Sequence, residues 1–295
     1  MHCQATTLKN TPCKLYARSP SPYCNYHNTN TTDATSTQSP PLQTFTLTFG
    51  DQAENNVGMV KIGTMADHGF DLDDFSSAKD YFATRGIDAT IHDLSAVIKD
   101  THPNVSPAYI LIAKKGLSSI VNSEAFYQEQ LALPKDMLAK SRGKVINKRA
   151  RYNLCFDDTA TVANYQEGQG TIIAYDAVPL MNTTRQALPL IFGPKATNLK
   201  CEGNYYYDVS KCGIGFHGDA ERKLVIGVRV GASMPLRYRW FHDCKPISEP
   251  IDFMLEDGDM YAMSEKTVGT DWRTPTALTL RHAAGCDKYL KWTEK

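Results

Sequence analysis

Six residues from position 44, Thr-Phe-Thr-Leu-Thr-Phe, alternate polar and apolar side chains, the two-residue period of a strand that turns one face to a core. Residues 74–85 change to a helical pattern that stops at Gly86, and 123–133 read the same way after an apolar strand at 108–113. Beyond Thr171 short strands dominate, expected at 171–175, 203–207, 223–230, 236–241, 251–255, 259–263, 276–281 and 288–292, with Gly, Pro and Asp turns between them. A helix over 179–191 interrupts early. This order predicts an α+β protein whose core is a double-stranded β-helix of the jelly-roll type, preceded by a small α/β region.

Ahead of these elements, residues 28–42 (NTNTTDATSTQSPPL) carry no hydrophobic period and read as a disordered linker. The expected organisation is therefore a metal module at 1–28, a linker at 29–43, the α/β region at 44–140 and a catalytic domain at 141–295. The module rests on Cys3, Cys13, Cys24 and His27, four ligands of tetrahedral zinc type whose Cys24–His27 end is a compact chelating pair. With Ala5, Thr6, Thr7 and Tyr23 they resemble small zinc modules with three cysteines and one histidine, although Asn10 stands where a glycine is common.

Composition narrows the partners. Lys and Arg (32) balance Asp and Glu (32), so any nucleic acid has to be held by a local patch. No stretch approaches the length of an apolar membrane span and no secretory signal is apparent, so an intracellular protein, cytoplasmic or nuclear and without a membrane partner, is expected. Cysteines there are thiols or metal ligands. A basic run holding Arg142, Lys144, Lys148, Arg149 and Arg151, next to Tyr152 and Phe156, suits a nucleic-acid strand, because cations neutralise phosphates and rings stack on bases. Lys148, Arg149, Arg151 and Tyr152 are the expected substrate contacts.

The chemistry gathers at Gly213-Ile214-Gly215-Phe216-His217-Gly218-Asp219. An imidazole and a carboxylate two residues apart leave a strand on the same face, which supplies two of the three ligands of a 2-His-1-carboxylate iron site. Asn204-Tyr205-Tyr206-Tyr207-Asp208, Gly213 to Asp219, and Glu221-Arg222 together resemble the AlkB-type nucleic-acid dioxygenases, over roughly residues 151–292. The resemblance implies iron(II), with 2-oxoglutarate and dioxygen as co-substrates. His282, 65 positions after His217 and preceded by an insertion at 264–275, is then the expected third iron ligand. It also implies a cation for the distal carboxylate of 2-oxoglutarate: Lys291 on the strand after His282 is expected, with Arg281 as runner-up. Asn204 with Tyr206 or Tyr207 would hydrogen-bond the same molecule.

The function expected from the resemblance is hydroxylation of a C–H bond in a modified base of DNA or RNA. Two other readings stay open: a protein or small-molecule hydroxylase on the same fold, and a non-catalytic nucleic-acid-binding module. Metal analysis of a chain beginning at Thr44 should show one zinc lost and the iron retained; an unchanged zinc content would remove the module from this description.

Overall fold

The threonine–aromatic alternation becomes a strand buried on both faces. The computed structural model describes residues 42–293; the zinc set Cys3, Cys13, Cys24 and His27 and most of the linker lie outside them. In β1 (Thr44–Gly50), Phe45, Leu47 and Phe49 enter one apolar core, while Thr46 and Thr48 line a cavity on the other side. The chain continues with β2 (Ala89–Asp93), β3 (Tyr109–Ala113), β4 (Tyr152–Asp157), β5 (Ile172–Ala174) and β6 (Lys200–Tyr206). It closes with β7 (Gly213–His217), β8 (Val225–Gly231), β9 (Met234–His242), β10 (Ile251–Leu255), β11 (Met260–Met263) and β12 (Thr279–Gly285).

Eight strands form one sheet in the order β2-β3-β11-β8-β1-β6-β4-β5, antiparallel except for the last pair. A smaller sheet is built on β7-β12-β9, with β10 paired to β9. The outcome is a sheet-rich α+β fold with a curled sheet. Phe75, Phe82, Phe126, Leu188 and Phe192 cover the outer face of the large sheet. They come from helices α1 (Leu72–Ala83), α2 (Ser123–Ala132) and α3 (Pro179–Phe192). A second apolar cluster joins Ile110, Val225 and Met263 of the large sheet to Leu236, Trp240 and Leu280 of the small one. No helix among the described residues is long and apolar enough to cross a membrane.

Two expectations need correction. Residues 44–140 do not form a separate region ahead of residues 141–295: β1 lies between β6 and β8 in the middle of the large sheet, and the described residues belong to one compact unit. Nor do residues 288–292 form a strand. Gly285, at φ +119°, ends β12, and a short helix, Asp287–Leu290, follows with an aspartate in its first turn, where the helix dipole favours a negative charge. At α1 the difference is smaller. The helix starts at Leu72 rather than 74 because Asp71 and Asp74 form a capping box: the Asp71 carboxylate accepts from the Asp74 N–H at 3.1 Å, and Asp74 accepts from the Asp71 N–H at 2.9 Å.

The inner face of β8 shows how tightly the sheet is filled. A Cβ at Gly227 would lie 1.9 Å from Cζ of Tyr261, whose ring crosses the strand there. Gly227→Ala should therefore destabilise the protein by about 1–3 kcal/mol in chemical denaturation. Adding Tyr261→Leu should recover part of that loss, since the two sites are in contact and do not add.

Candidate metal centre

β7 and β12 pair with Gly213 opposite Gly285 and His217 opposite His282, through a register shift between Ile214 and His217. Two histidines far apart in sequence thus become ladder neighbours, their ring centroids 4.4 Å apart. Asp219 follows β7 after one glycine. A Cβ on Gly218 would sit 2.1 Å from the carbonyl oxygen of Gly269, so only glycine lets the turn lie against the end of the short helix Glu265–Val268. The Asp219 N–H donates to the Val268 carbonyl at 3.0 Å, which fixes the turn. Asp219 Oδ1 then lies 3.5 Å from His217 Nε2 and 3.6 Å from His282 Nε2.

One ligand atom from each of the three residues falls within 4.8 Å of the others. With its proton on Nδ1, His217 donates to the Gly215 carbonyl at 2.8 Å and leaves Nε2 bare toward the other two ligands. Burial, reinforced by His282, pulls His217 down to about 3, so its imidazole is neutral. Burial alone would raise the Asp219 carboxyl, but Arg222, His282 and His217 together hold it below the usual carboxylate range. A neutral imidazole beside an ionised carboxylate is the donor state a divalent metal requires.

Arg222, 2% exposed, organises the carboxylates around this centre. Its Nη2 donates to Glu202 Oε2 at 2.8 Å and Glu221 Oε1 at 2.6 Å, and its Nε lies 3.7 Å from Asp219 Oδ2. Asp219 therefore turns one oxygen to the histidines and the other to a guanidinium.

The triad opens into a cavity of about 430 Å³. Thr46, Asn204 and Arg229 lie side by side across β1, β6 and β8 on its wall. Arg229 is 1% exposed, and its Nε and Nη1 have no hydrogen-bond partner; the Thr46 hydroxyl has none either. The nearby carboxylate of Asp259 is committed to Lys114 at 2.6 Å and to the N–H groups of Lys115 and Glu256. Tyr206 stands by, its ring centroid 6.0 Å from the Arg229 guanidinium.

Of the residues expected at the site, the structure brings His217, Asp219, His282, Asn204, Tyr206 and Arg151 to this cavity. Arg151 Nε donates to Asn204 Oδ1 at 2.5 Å. The others lie elsewhere. Lys291 is exposed beyond the short helix that replaces the expected strand. Arg281 faces away from His282, its guanidinium 4.4 Å from the Phe241 ring centroid and 5.5 Å from that of Trp272. Tyr207 stacks on Tyr152 at 4.9 Å and donates to the Arg149 carbonyl, so neither ring enters the cavity. The Lys148 amine turns inward to Asn55 Oδ1 at 2.5 Å, and burial lowers it to about 8. Arg149 is exposed. Sequence reasoning missed Arg229, Thr46, Tyr261, Glu54 and Glu202. For Arg229 a signal existed: it is the one charge within the apolar run Val225–Val230.

No family model matches the chain. It is 41% identical over 251 residues to an uncharacterized protein of Acanthamoeba polyphaga mimivirus, an alignment covering 84% of this chain and 98% of that protein. The chain belongs to the family of that viral protein. The match takes in nearly all of the relative and 84% of this chain, so the kinship does not rest on a short shared motif.

His217→Ala, Asp219→Ala and His282→Ala should each weaken cobalt(II) or iron(II) binding, measured by calorimetry, by at least about a hundredfold, more than loss of an outer partner costs. Full metal affinity in the His282 variant would remove that residue from the centre.

Proposed function

We propose that the protein is an iron(II)- and 2-oxoglutarate-dependent dioxygenase that hydroxylates a C–H bond, and that its two sheets are the halves of a double-stranded β-helix. The observation that carries this reading is Arg229: a buried guanidinium with two partnerless nitrogens opens onto the same cavity as a His–Asp–His cluster. A buried charge without a partner is costly, and a carboxylate-bearing ligand would satisfy it together with the Thr46 hydroxyl. A dicarboxylic 2-oxoacid has a carboxylate for Arg229 and a chelating end for the metal. The resemblance to AlkB-type enzymes supports the same chemistry, with the carboxylate anchor moved to β8.

Iron with 2-oxoglutarate and dioxygen would supply the oxidising power. One oxygen atom enters the substrate as hydroxyl, the other enters succinate, and carbon dioxide leaves. The chain's own residues position and exclude. Arg229, Thr46 and Tyr206 hold one end of the co-substrate, Asn204 with Arg151 lies alongside it, and Val225, Leu236 and Met263 supply an apolar part of the cavity lining.

The expected nucleobase substrate drew on the basic run at 142–151. Arg151 alone of that run lines the cavity, and it is bonded to Asn204. We therefore carry forward the reading of a hydroxylase acting on a protein side chain or small molecule. Anaerobic titration of the iron-loaded protein with 2-oxoglutarate, followed by succinate measurement in air, tests the activity. Arg229→Met should weaken 2-oxoglutarate binding at least about 30-fold, the lower end of what breaking a buried charge pair costs, about 2 kcal/mol. Lys291→Ala should leave binding unchanged; the opposite pattern would restore the anchor read from the sequence.

A further inference from the structure

The cavity contains a second buried charge whose need for a partner points to the substrate. β1 runs from the level of Arg229, at Thr46, through the level of Glu202, at Thr48, to Gly50, and the chain then continues into the short strand Gln52–Glu54. Glu54 therefore lies past Glu202, along the wall from Arg229. It lines the cavity and is 9% exposed. Its Oε1 accepts from the Gly58 N–H at 2.7 Å, and among the described residues no cation forms an ion pair with it.

Lys61, opposite Glu54 across the short two-stranded ladder, is exposed and acts on it only through its field, without an ion pair. Glu221 and Glu202, whose fields reach it, are carboxylates, and both are already bonded to Arg222. Arg151 is bonded to Asn204. Arg273 is exposed, with its guanidinium 5.2 Å from the Trp272 ring centroid. Arg222 Nη1, buried and without a partner, offers one hydrogen-bond donor on the same wall. A carboxylate on the cavity wall without an ion pair of its own is costly to keep charged, and it favours a ligand of opposite sign.

We infer that Glu54 receives a positively charged nitrogen of the substrate, so that the protein hydroxylates an amine- or guanidine-bearing side chain of the lysine or arginine type. This rests on the dioxygenase reading above. The wall then has two polar ends of opposite sign. Arg229 takes the co-substrate carboxylate, Glu54 takes the substrate cation, and the metal ligands line the same cavity. A substrate carrying a negative charge near its reacting carbon is repelled by Glu54, Glu202 and Glu221 together.

The test uses the iron-loaded full chain with 2-oxoglutarate in air and compares matched pairs: L-arginine with L-citrulline, L-lysine with L-norleucine, and short peptides with a central Arg or Lys. Arginine or lysine, free or in a peptide, should raise succinate formation at least about tenfold over the neutral partner, with a hydroxylated product by mass spectrometry. The free and peptide arms decide which form is used. Glu54→Gln, which keeps the acceptor for Gly58 and removes the charge, should lower the preference of cation over neutral partner by about tenfold. Equal stimulation within each pair, or product from a base-modified oligonucleotide alone, would overturn the inference while leaving the dioxygenase reading in place. Absence of 2-oxoglutarate binding to the cobalt-loaded parent, measured separately, would overturn that reading itself.

Discussion

Three carboxylates share one guanidinium, and the cavity depends on that arrangement. Glu202, Glu221 and Asp219 all lie close to Arg222, which is nearly inaccessible to water. Without that cation their mutual repulsion and desolvation would favour protonation, and a protonated Asp219 is no metal ligand. Gly50 completes the arrangement: a Cβ there would lie 3.2 Å from Arg222 Cδ and 2.6 Å from the Leu224 carbonyl oxygen. The end of β1 thus leaves room for the guanidinium that holds Asp219, Glu202 and Glu221 together.

The cavity wall follows from a division of labour along two strands. In β1 the aromatic and leucine positions face the helices while the threonines face inward; in β8, Ile226, Val228 and Val230 do the former while Gly227 and Arg229 do the latter. Both faces are buried, so polarity on the inner face is a cost that only ligands or internal partners offset. That is the ground for treating Arg229 and Glu54 as binding groups and not as ordinary surface charges.

The cluster of His217, Asp219 and His282 was legible in the sequence because it uses few residue types at a fixed spacing. His217 and Asp219 sit two apart, and His282 needed only to be a histidine at a distance the fold allows. The proposed co-substrate anchor, Arg229, left only one signal in the sequence, a lone charge in an apolar run, and it was passed over for Lys291. Choosing Lys291 assumed that a strand follows His282, whereas the backbone of Gly285 and the aspartate after it start a helix instead. Choosing between Tyr206 and Tyr207 required the face of β6, which local alternation leaves open until a neighbour is known. The separation of residues 44–140 from the rest failed for a related reason. Periodicity finds strands without their partners, and β1 pairs with Lys200–Tyr206 and with residues 226–231.

The contact between Gly218 and Gly269 joins two parts of the chain that sequence order keeps apart. The Asp219 N–H is bonded to Val268, and three residues past Gly269 stands Trp272, on the cavity wall. The segment 264–275 is thereby tied to the backbone of Asp219. On the proposed function, a molecule seated under Trp272 would bear on the Asp219 turn, and a metal held there would bear on the segment with Trp272 and Arg273. Cargo and cofactor would then each report the other's presence through two glycines with no side chains between them.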